Sequence, residues 1–356
     1  MDDLDALRKG IASIDEEIIA LVAKRMEVAR SIGMAKREMG KAIRDIPVEE
    51  RVVERFISAG KELGISRATA EQVCRAVIRE AVEVQSMIPH EQEGRRILIV
   101  GGSGKMGRWL RKFLAERGHE VRYHDLVVST DGAYMPLEEG VEWSEVIIIA
   151  TPISEVGPML ERLIEYGADR LVFDISSLKS PFVGTLREAA SRGHRYCSVH
   201  PMFGPDTRSV FDRRILLCDC GSPSAVEEAR TLMEGGGALL VDVRLEEHDL
   251  LMSYVLGLSH AVNIVFFNSL ARSGIPFDRM MEVASTTLRK QLDTTIDVAM
   301  ENPYLYYEIQ SMNANSEGTW HNFHKSVEDV MNTILDGDEA AFIDIMKAGR
   351  AYFGGR

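Results

Sequence analysis

Apolar residues at the start of the chain alternate spacings of three and four: Leu4, Leu7, Ile11, Ile14, Ile18, Leu21, Val28 and Ile32. Sustained over more than four heptads, this seam predicts one long helix packed along its whole length against partner helices. Two more helices are predicted, roughly Pro47 to Leu63 and Ala68 to Ile88. The break Gly64-Ile65-Ser66 separates them, with Ser66 as an N-cap. Three helices with so long a first one make a poor core for a single chain, so an intertwined dimer is expected.

After the polar stretch Pro89-His90-Glu91-Gln92-Glu93-Gly94-Arg95 the period changes. Short apolar runs follow: ILIV (97–100), EVRYH (120–124), EVIIIA (145–150), RLVFDI (170–175), YCSV (196–199), ILLC (215–218) and ALLVDV (238–243). Helical segments separate many of them, which predicts a doubly wound, largely parallel sheet. From about Glu246 the chain reads as helical without strand signals. The expected order is a helical bundle (1–90), a nucleotide-binding sheet domain (91–245) and an all-helical C-terminal domain (246–356).

Composition narrows the function. The length of 356 residues suits two or three domains. A net charge of −13 argues against a nucleic-acid partner, whose phosphates need a basic surface, yet leaves anionic small substrates open. Cys74, Cys197, Cys218 and Cys220 fall in no ligand pattern, so free thiols in a reducing cytosol are expected and no metal. The acidic, amphipathic start MDDLDALRK is not a secretory signal, and a cytoplasmic protein is expected. Leu251 to Ala271 is long and apolar enough to suggest a membrane span. It carries Ser253, Ser259, His260, Asn263 and Asn268, which are costly in lipid, so a buried helix at a subunit interface is expected instead.

Ile97-Leu98-Ile99-Val100-Gly101-Gly102-Ser103-Gly104-Lys105-Met106-Gly107 reads as a buried strand feeding a glycine-rich turn and a helix. Gly102, Gly104 and Gly107 fit G-x-G-x-x-G, the Rossmann pattern for a dinucleotide. The helix start at Lys105 and Met106 then faces the pyrophosphate. Alone the pattern is equally a glycine turn of no function. Its context decides, because the strand from Glu120 to His124 ends in Asp125. An acid there bonds the ribose hydroxyls and repels a 2′-phosphate, which favours NAD over NADP.

Ligands in open α/β sheets gather at the carboxyl ends of strands. Three such ends carry polar residues here: Ala150-Thr151-Pro152, Asp174 to Lys179, and Ser198 to Asp206. His200 is expected just past its strand, in a loop stiffened by two prolines, where its imidazole could accept a hydroxyl proton as hydride leaves the same carbon. In the first helix Arg25 interrupts the apolar seam. Lys36 follows three turns on, nearly on the same face. Gln85 interrupts the third helix in the same way. A buried guanidinium needs an anion or carboxylate. A polar network that fixes helix register explains these residues equally well.

HPMFGPD, the GGSGKMG loop, DISSLK, the Glu247-His248-Asp249 element and the helix bearing Ser259-His260 occur in the order found in the prephenate dehydrogenase family, which the chain resembles from Arg96 onward. That resemblance implies NAD-dependent oxidation of the prephenate 4-hydroxyl followed by loss of CO2. His200 would be the catalytic histidine, Ser177 a contact to the same hydroxyl, His260 part of the pocket and Arg289 the holder of the ring carboxylate. Gly102, Ser103, Gly104, Lys105, Met106, Gly107, Asp125 and Thr151 would bind NAD, and the C-terminal helices would form a dimerisation domain.

LRKGIASIDEEIIALVAKR, IGMAK, IRDIPVEER and the third-helix glutamine are similar to the helical chorismate mutase family across the first ninety residues. By that resemblance Arg8 and Arg25 bind the two carboxylates of chorismate, Lys36 and Gln85 the ether oxygen, and Asp45 and Glu49 the ring hydroxyl and nearby groups. Arg8 and Arg25 lie about 25 Å apart along one helix. They can share one small ligand only if Arg8 comes from the partner subunit of a homodimer. The segment departs from the family at Val48, where an Arg is common, and at Ala81, where a Ser is common. Arg51 could substitute for the first.

The expected protein is therefore a fused enzyme of tyrosine biosynthesis acting on chorismate and prephenate. The alternatives are a prephenate or arogenate dehydrogenase with a weak or vestigial mutase domain, a dehydrogenase of 3-hydroxy acids, and an NAD-binding regulator without chemistry. The fusion favours prephenate, the product of the mutase itself.

Overall fold

The computed structural model describes residues 2–39, 41, 43–86, 94–127, 130–167 and 170–354. By packing, the chain forms two compact units. The first is Met1–Thr151, Met159–Ser176 and Leu186–Val243; the second is Pro152–Pro158, Ser177–Thr185 and Arg244–Arg356.

The first unit opens with three helices, α1 (Asp2–Glu38), α2 (Ile46–Glu62) and α3 (Arg67–Ser86). Ser66 caps α3, its hydroxyl accepting from the Thr69 amide at 3.2 Å. Ile88 and the stretch Pro89–Glu93 lie outside the described residues. Val53 and Ile57 of α2 meet Ala70, Cys74, Ile78 and Val82 of α3 in a small core. The long seam of α1 is not covered within one chain. Its eight positions, Leu4 to Ile32, are 47% to 64% exposed. Burial on α1 begins only near Ala29, where the helix runs against α3.

The sheet follows as β1 (Arg96–Val100), α4 (Lys105–Ala115), β2 (Glu120–His124), α5 (Leu137–Trp143), β3 (Val146–Ile149), α6 (Ile153–Glu165), β4 (Leu171–Asp174), α7 (Val183–Ser191), β5 (Tyr196–Pro201), β6 (Arg214–Asp219), α8 (Pro223–Met233) and β7 (Leu239–Asp242). Its order is β2-β1-β3-β4-β5-β6-β7, parallel except where β6 runs against β5. Ile97, Leu98 and Ile99 are fully buried, as expected of an unbroken apolar run covered on both faces. The order reverses beside β1, whose neighbours are β2 and β3. A ligand crevice opens at such a reversal.

The second unit is helical: α9 (Leu245–Met252), a π-helical stretch (Ser253–Leu258), α10 (Ser259–Arg272), α11 (Phe277–Glu282), α12 (Thr286–Met300), α13 (Pro303–Ser311), α14 (Ser316–Leu335) and α15 (Glu339–Tyr352). Among the described residues, Leu245–Arg272 is the one helical stretch long and apolar enough to cross a membrane. Its buried Asn263 is answered by protein. Asn263 accepts from Thr295 at 2.7 Å and Gln291 at 3.0 Å, both on α12, and donates to the Ser259 carbonyl at 2.8 Å. The π stretch frees a carbonyl at Gly257, which Gln310 of α13 meets at 2.7 Å.

Candidate active sites

The loop after β1 is built as a dinucleotide cradle. Gly101 has φ +86°, and a Cβ there would sit 2.6 Å from the Ala150 carbonyl oxygen. A Cβ on Gly102 would fall 2.3 Å from Tyr123, and one on Gly107 would fall 2.3 Å from the Gly101 oxygen. Only glycine lets the turn, β2 and α4 approach so closely. Gly104 caps α4 without a side chain, so the first amides of the helix, those of Lys105 and Met106 among them, remain available to an anion. Asp125, just past β2, accepts the Ser103 amide at 2.9 Å and the Leu126 amide at 2.8 Å. The cradle and its adjacent acid fit an adenosine dinucleotide. Thr151, past β3, has its hydroxyl buried without a hydrogen-bond partner.

At the ends of β4 and β5 the buried carboxylate of Asp174 gathers donors, among them the Ser176 amide at 2.8 Å and the hydroxyls of Tyr196 and Ser198, each at 2.6 Å. Burial and the neighbouring Asp174 push the Tyr196 hydroxyl pKa well above its ordinary value, so it stays a donor. His200 differs from expectation. It is the fifth residue of β5, paired with Leu216, and only 3% exposed. The strand runs on because β6 returns antiparallel and prolongs the ladder, with Met202 donating to the Arg214 carbonyl at 2.9 Å.

In the second unit the carboxylate of Asp249 is a collecting point. It accepts the Lys179 amide at 2.9 and 3.0 Å, the Ser180 amide at 2.5 Å, the Ser180 hydroxyl, and His248 Nδ1 at 2.7 Å. Burial alone would raise the Asp249 pKa, but the hydrogen bonds from His248 and Ser180 outweigh it and hold the pKa below the usual value. The half-buried Ser177 lies just ahead of these anchored amides. His260 stacks on Tyr306 at 4.0 Å, nearly parallel, with its Nδ1 buried and without a partner. Burial lowers its pKa to about 4, so the imidazole is neutral at pH 7. Arg289 is exposed near the start of α12, donating to the Met281 carbonyl at 3.2 Å.

Most residues that the mutase resemblance names have partners within one chain. Arg25 donates to the Val77 carbonyl at 3.2 Å, and Lys36 donates to the Ile43 carbonyl. Gln85 is 7% exposed, with its Oε1 unpartnered. Asp45 caps α2 through the Val48 amide at 3.1 Å, and Glu49 is held by Arg44. Arg8 is not brought to this group. It stands on the surface of α1, paired only with Asp5 at 3.3 Å. Val48 is 41% exposed and Ala81 is buried.

Sequence reasoning gave no role to Asp174, Asp249 or Arg44. Asp174 carried a signal, a carboxylate closing an apolar strand. Asp249 stood in the Glu247-His248-Asp249 element, but nothing in the sequence pointed to its partners Lys179 and Ser180, which lie 70 and 69 residues away. Among the described residues no cluster of three or more His, Cys, Asp or Glu is placed to hold a metal, and the four cysteines are buried free thiols.

Comparison with known proteins matches the helical and sheet-plus-helical parts separately. Residues 7–86 match chorismate mutase type II, 125–241 the nucleotide-binding domain of prephenate dehydrogenase, and 244–348 its dimerization domain. The glycine loop precedes the second match, so its reading rests on the geometry above. The T-protein of Enterobacter agglomerans is 27% identical across 99% of this chain and 93% of its own length. That of Haemophilus influenzae is 25% identical over the same shares. A solved structure of prephenate dehydrogenase from A. aeolicus, with hydroxyphenyl propionate and NAD+, has a TM-score of 0.60 and 17% identity. It covers 74% of this chain and 98% of that one, a likeness of fold. With the three domains in this order along one polypeptide, the chain belongs to the family in which a type II chorismate mutase is joined to a prephenate dehydrogenase.

Proposed function

We propose that the enzyme carries chorismate to prephenate in its helical domain and oxidises prephenate with NAD to 4-hydroxyphenylpyruvate in the remainder, for tyrosine biosynthesis. One observation carries the assignment of residues. Among the described residues, the buried side-chain atoms without a hydrogen-bond partner are Gln85 Oε1, Thr151 Oγ1 and His260 Nδ1. An orphaned buried polar atom costs about 1–3 kcal/mol and calls for an explanation. A bound ligand would satisfy each: chorismate at Gln85, the cofactor at Thr151, whose strand end adjoins the glycine loop, and prephenate at His260.

In the mutase, Arg25 and the partner subunit's Arg8 take the two carboxylates and hold the reactive conformer. Lys36 and Gln85 place positive charge and an amide at the ether oxygen as the C–O bond breaks, while Asp45 and Glu49 orient the ring hydroxyl. No covalent intermediate is required. In the dehydrogenase, NAD when bound supplies the hydride acceptor. His200 takes the 4-hydroxyl proton while Ser177 orients that hydroxyl. Arg289 holds the ring carboxylate, and neutral His260 lines the pocket without adding charge. Loss of CO2 then leaves its electron pair in the ring, which becomes aromatic, and the proton on His200 returns to the phenolate oxygen.

Selective loss tests this division. Gln85→Ala is expected to slow chorismate consumption by about 10- to 100-fold and leave prephenate oxidation intact, with His260→Ala doing the reverse. Equal loss of both activities in either variant, or of neither, would overturn the assignment.

Asp125 is the specificity residue for the cofactor. The native enzyme is expected to prefer NAD, because a 2′-phosphate would meet the carboxylate that Ser103 and Leu126 hold at the loop. Equal kcat/KM with NADP in the native protein would refute this role.

A homodimer is part of the same reading. The uncovered α1 seam needs a partner helix, and Leu251, Tyr254, Val255, Val262 and Val265 on the apolar helix of the second unit are 38% to 52% exposed. A second copy covers such faces without the full desolvation of the exposed Ser259 and Asn268 that a bilayer would demand. The four free thiols fit a reducing compartment, the cytoplasm.

A further inference from the structure

Arg44 stands one residue before the Asp45 cap of α2, yet several of its partners belong to the loops that lead into β6 and β7. Its Nε and Nη2 grip both oxygens of Glu49, at 3.0 and 2.6 Å. Its Nη1 donates to Asp212 Oδ1 at 2.9 Å and to the Gly237 carbonyl at 3.2 Å. The guanidinium lies 4.5 Å over the ring of Phe211, and Phe211 itself packs on the core of α2 and α3. Arg44 and Glu49 keep only 13% and 16% of their side-chain exposure.

The sheet-domain side of this contact is shaped for it. Gly237 has φ +78°, and a Cβ there would meet Val82 at 2.8 Å and Phe211 at 2.9 Å, so the close approach to α3 requires glycine. Asp212, at φ +62°, is the one non-glycine with positive φ among the described residues, and its amide donates to the Gly237 carbonyl at 3.1 Å. Aspartate tolerates that conformation better than most side chains, but it still needs surroundings that hold it there. A planar guanidinium tied at one nitrogen to Asp212 and Gly237 has its remaining N–H directions fixed, and these set where the Glu49 carboxylate rests.

We propose that the sheet domain completes the mutase: Asp212, acting through Arg44, is a positioning residue that fixes the Glu49 carboxylate for the chorismate rearrangement. This rests on Glu49 contacting the substrate ring. The mutase then depends on a residue that lies 168 positions from Arg44 and outside the helical domain.

The test uses the full chain and reads kcat and KM for chorismate, with prephenate oxidation as the control. Asp212→Gly removes the carboxylate while glycine accepts the positive φ, so the backbone is kept. Mutase kcat is expected to fall about tenfold with KM nearly unchanged, the pattern of a displaced catalytic group. Prephenate oxidation should hold. Asp212→Asn keeps an oxygen acceptor in place and should recover most of the rate. Arg44→Lys, which loses the fork, should resemble Glu49→Gln. If Glu49→Gln slows the mutase and Asp212→Gly does not, the bridge is overturned while the reading of Glu49 stands. If Glu49→Gln has no effect, that reading fails and takes the proposal with it. Parallel loss of both activities in Asp212→Gly would mean the contact only holds the fold, and also overturns the proposal.

Discussion

Replacing His200 with asparagine should lower kcat for prephenate oxidation by about 10²–10⁴ while KM for prephenate stays near its native value. Asparagine keeps a hydrogen-bonding group of similar reach but cannot take up the hydroxyl proton as hydride leaves. The substitution is small, and the β5 backbone pairs with Leu216 whatever the side chain, so the ladder should survive. Chorismate rearrangement should be untouched, because the residues proposed to touch chorismate lie on α1 to α3 or, for Asp45, at the cap of α2. Turnover near the native rate in His200→Asn would remove His200 as the base.

Arg8→Ala and Arg25→Ala should each abolish mutase activity and leave prephenate oxidation nearly intact. Within one chain Arg8 has no task that explains it. Its side chain is 71% exposed, and its pairing with Asp5 is of the surface kind that contributes little. Mixed into heterodimers, the two inactive variants should regain activity. One of the two equivalent sites collects both substitutions and the other collects neither, so up to half the native rate per dimer returns. A polar network that merely fixes helix register predicts weakened dimers and no rescue. Sedimentation of the mixed, folded species, followed by a chorismate assay, separates the two. Absence of rescue in dimers shown to be mixed would eliminate the shared site.

The sequence by itself carried what depends on short-range periodicity. The three-four seam of α1, the unbroken apolar runs of β1 and β3 and the glycine spacing after β1 each follow from which face of a helix or strand must leave water. The glycines at 102, 104 and 107 could be read from their spacing, whereas the demand for glycine at 101, with φ +86°, emerged only in the fold. Motif order likewise placed the mutase ahead of the dehydrogenase, and the orphaned atoms of Gln85, Thr151 and His260 fall at residues the motifs had already singled out.

Tertiary structure decided whatever depends on partners distant in sequence. His200 moved from an expected loop into β5 because an antiparallel neighbour, β6, extends the ladder, and strand length is set by pairing rather than by the strand's own residues. Asp249 became the anchor of the Ser177 segment through amides some seventy residues away. Arg44 acquired Asp212 and Gly237 only once the sheet was folded against α2 and α3. Hydrogen-bonding capacity is written in each residue, but its partner is chosen by three-dimensional proximity.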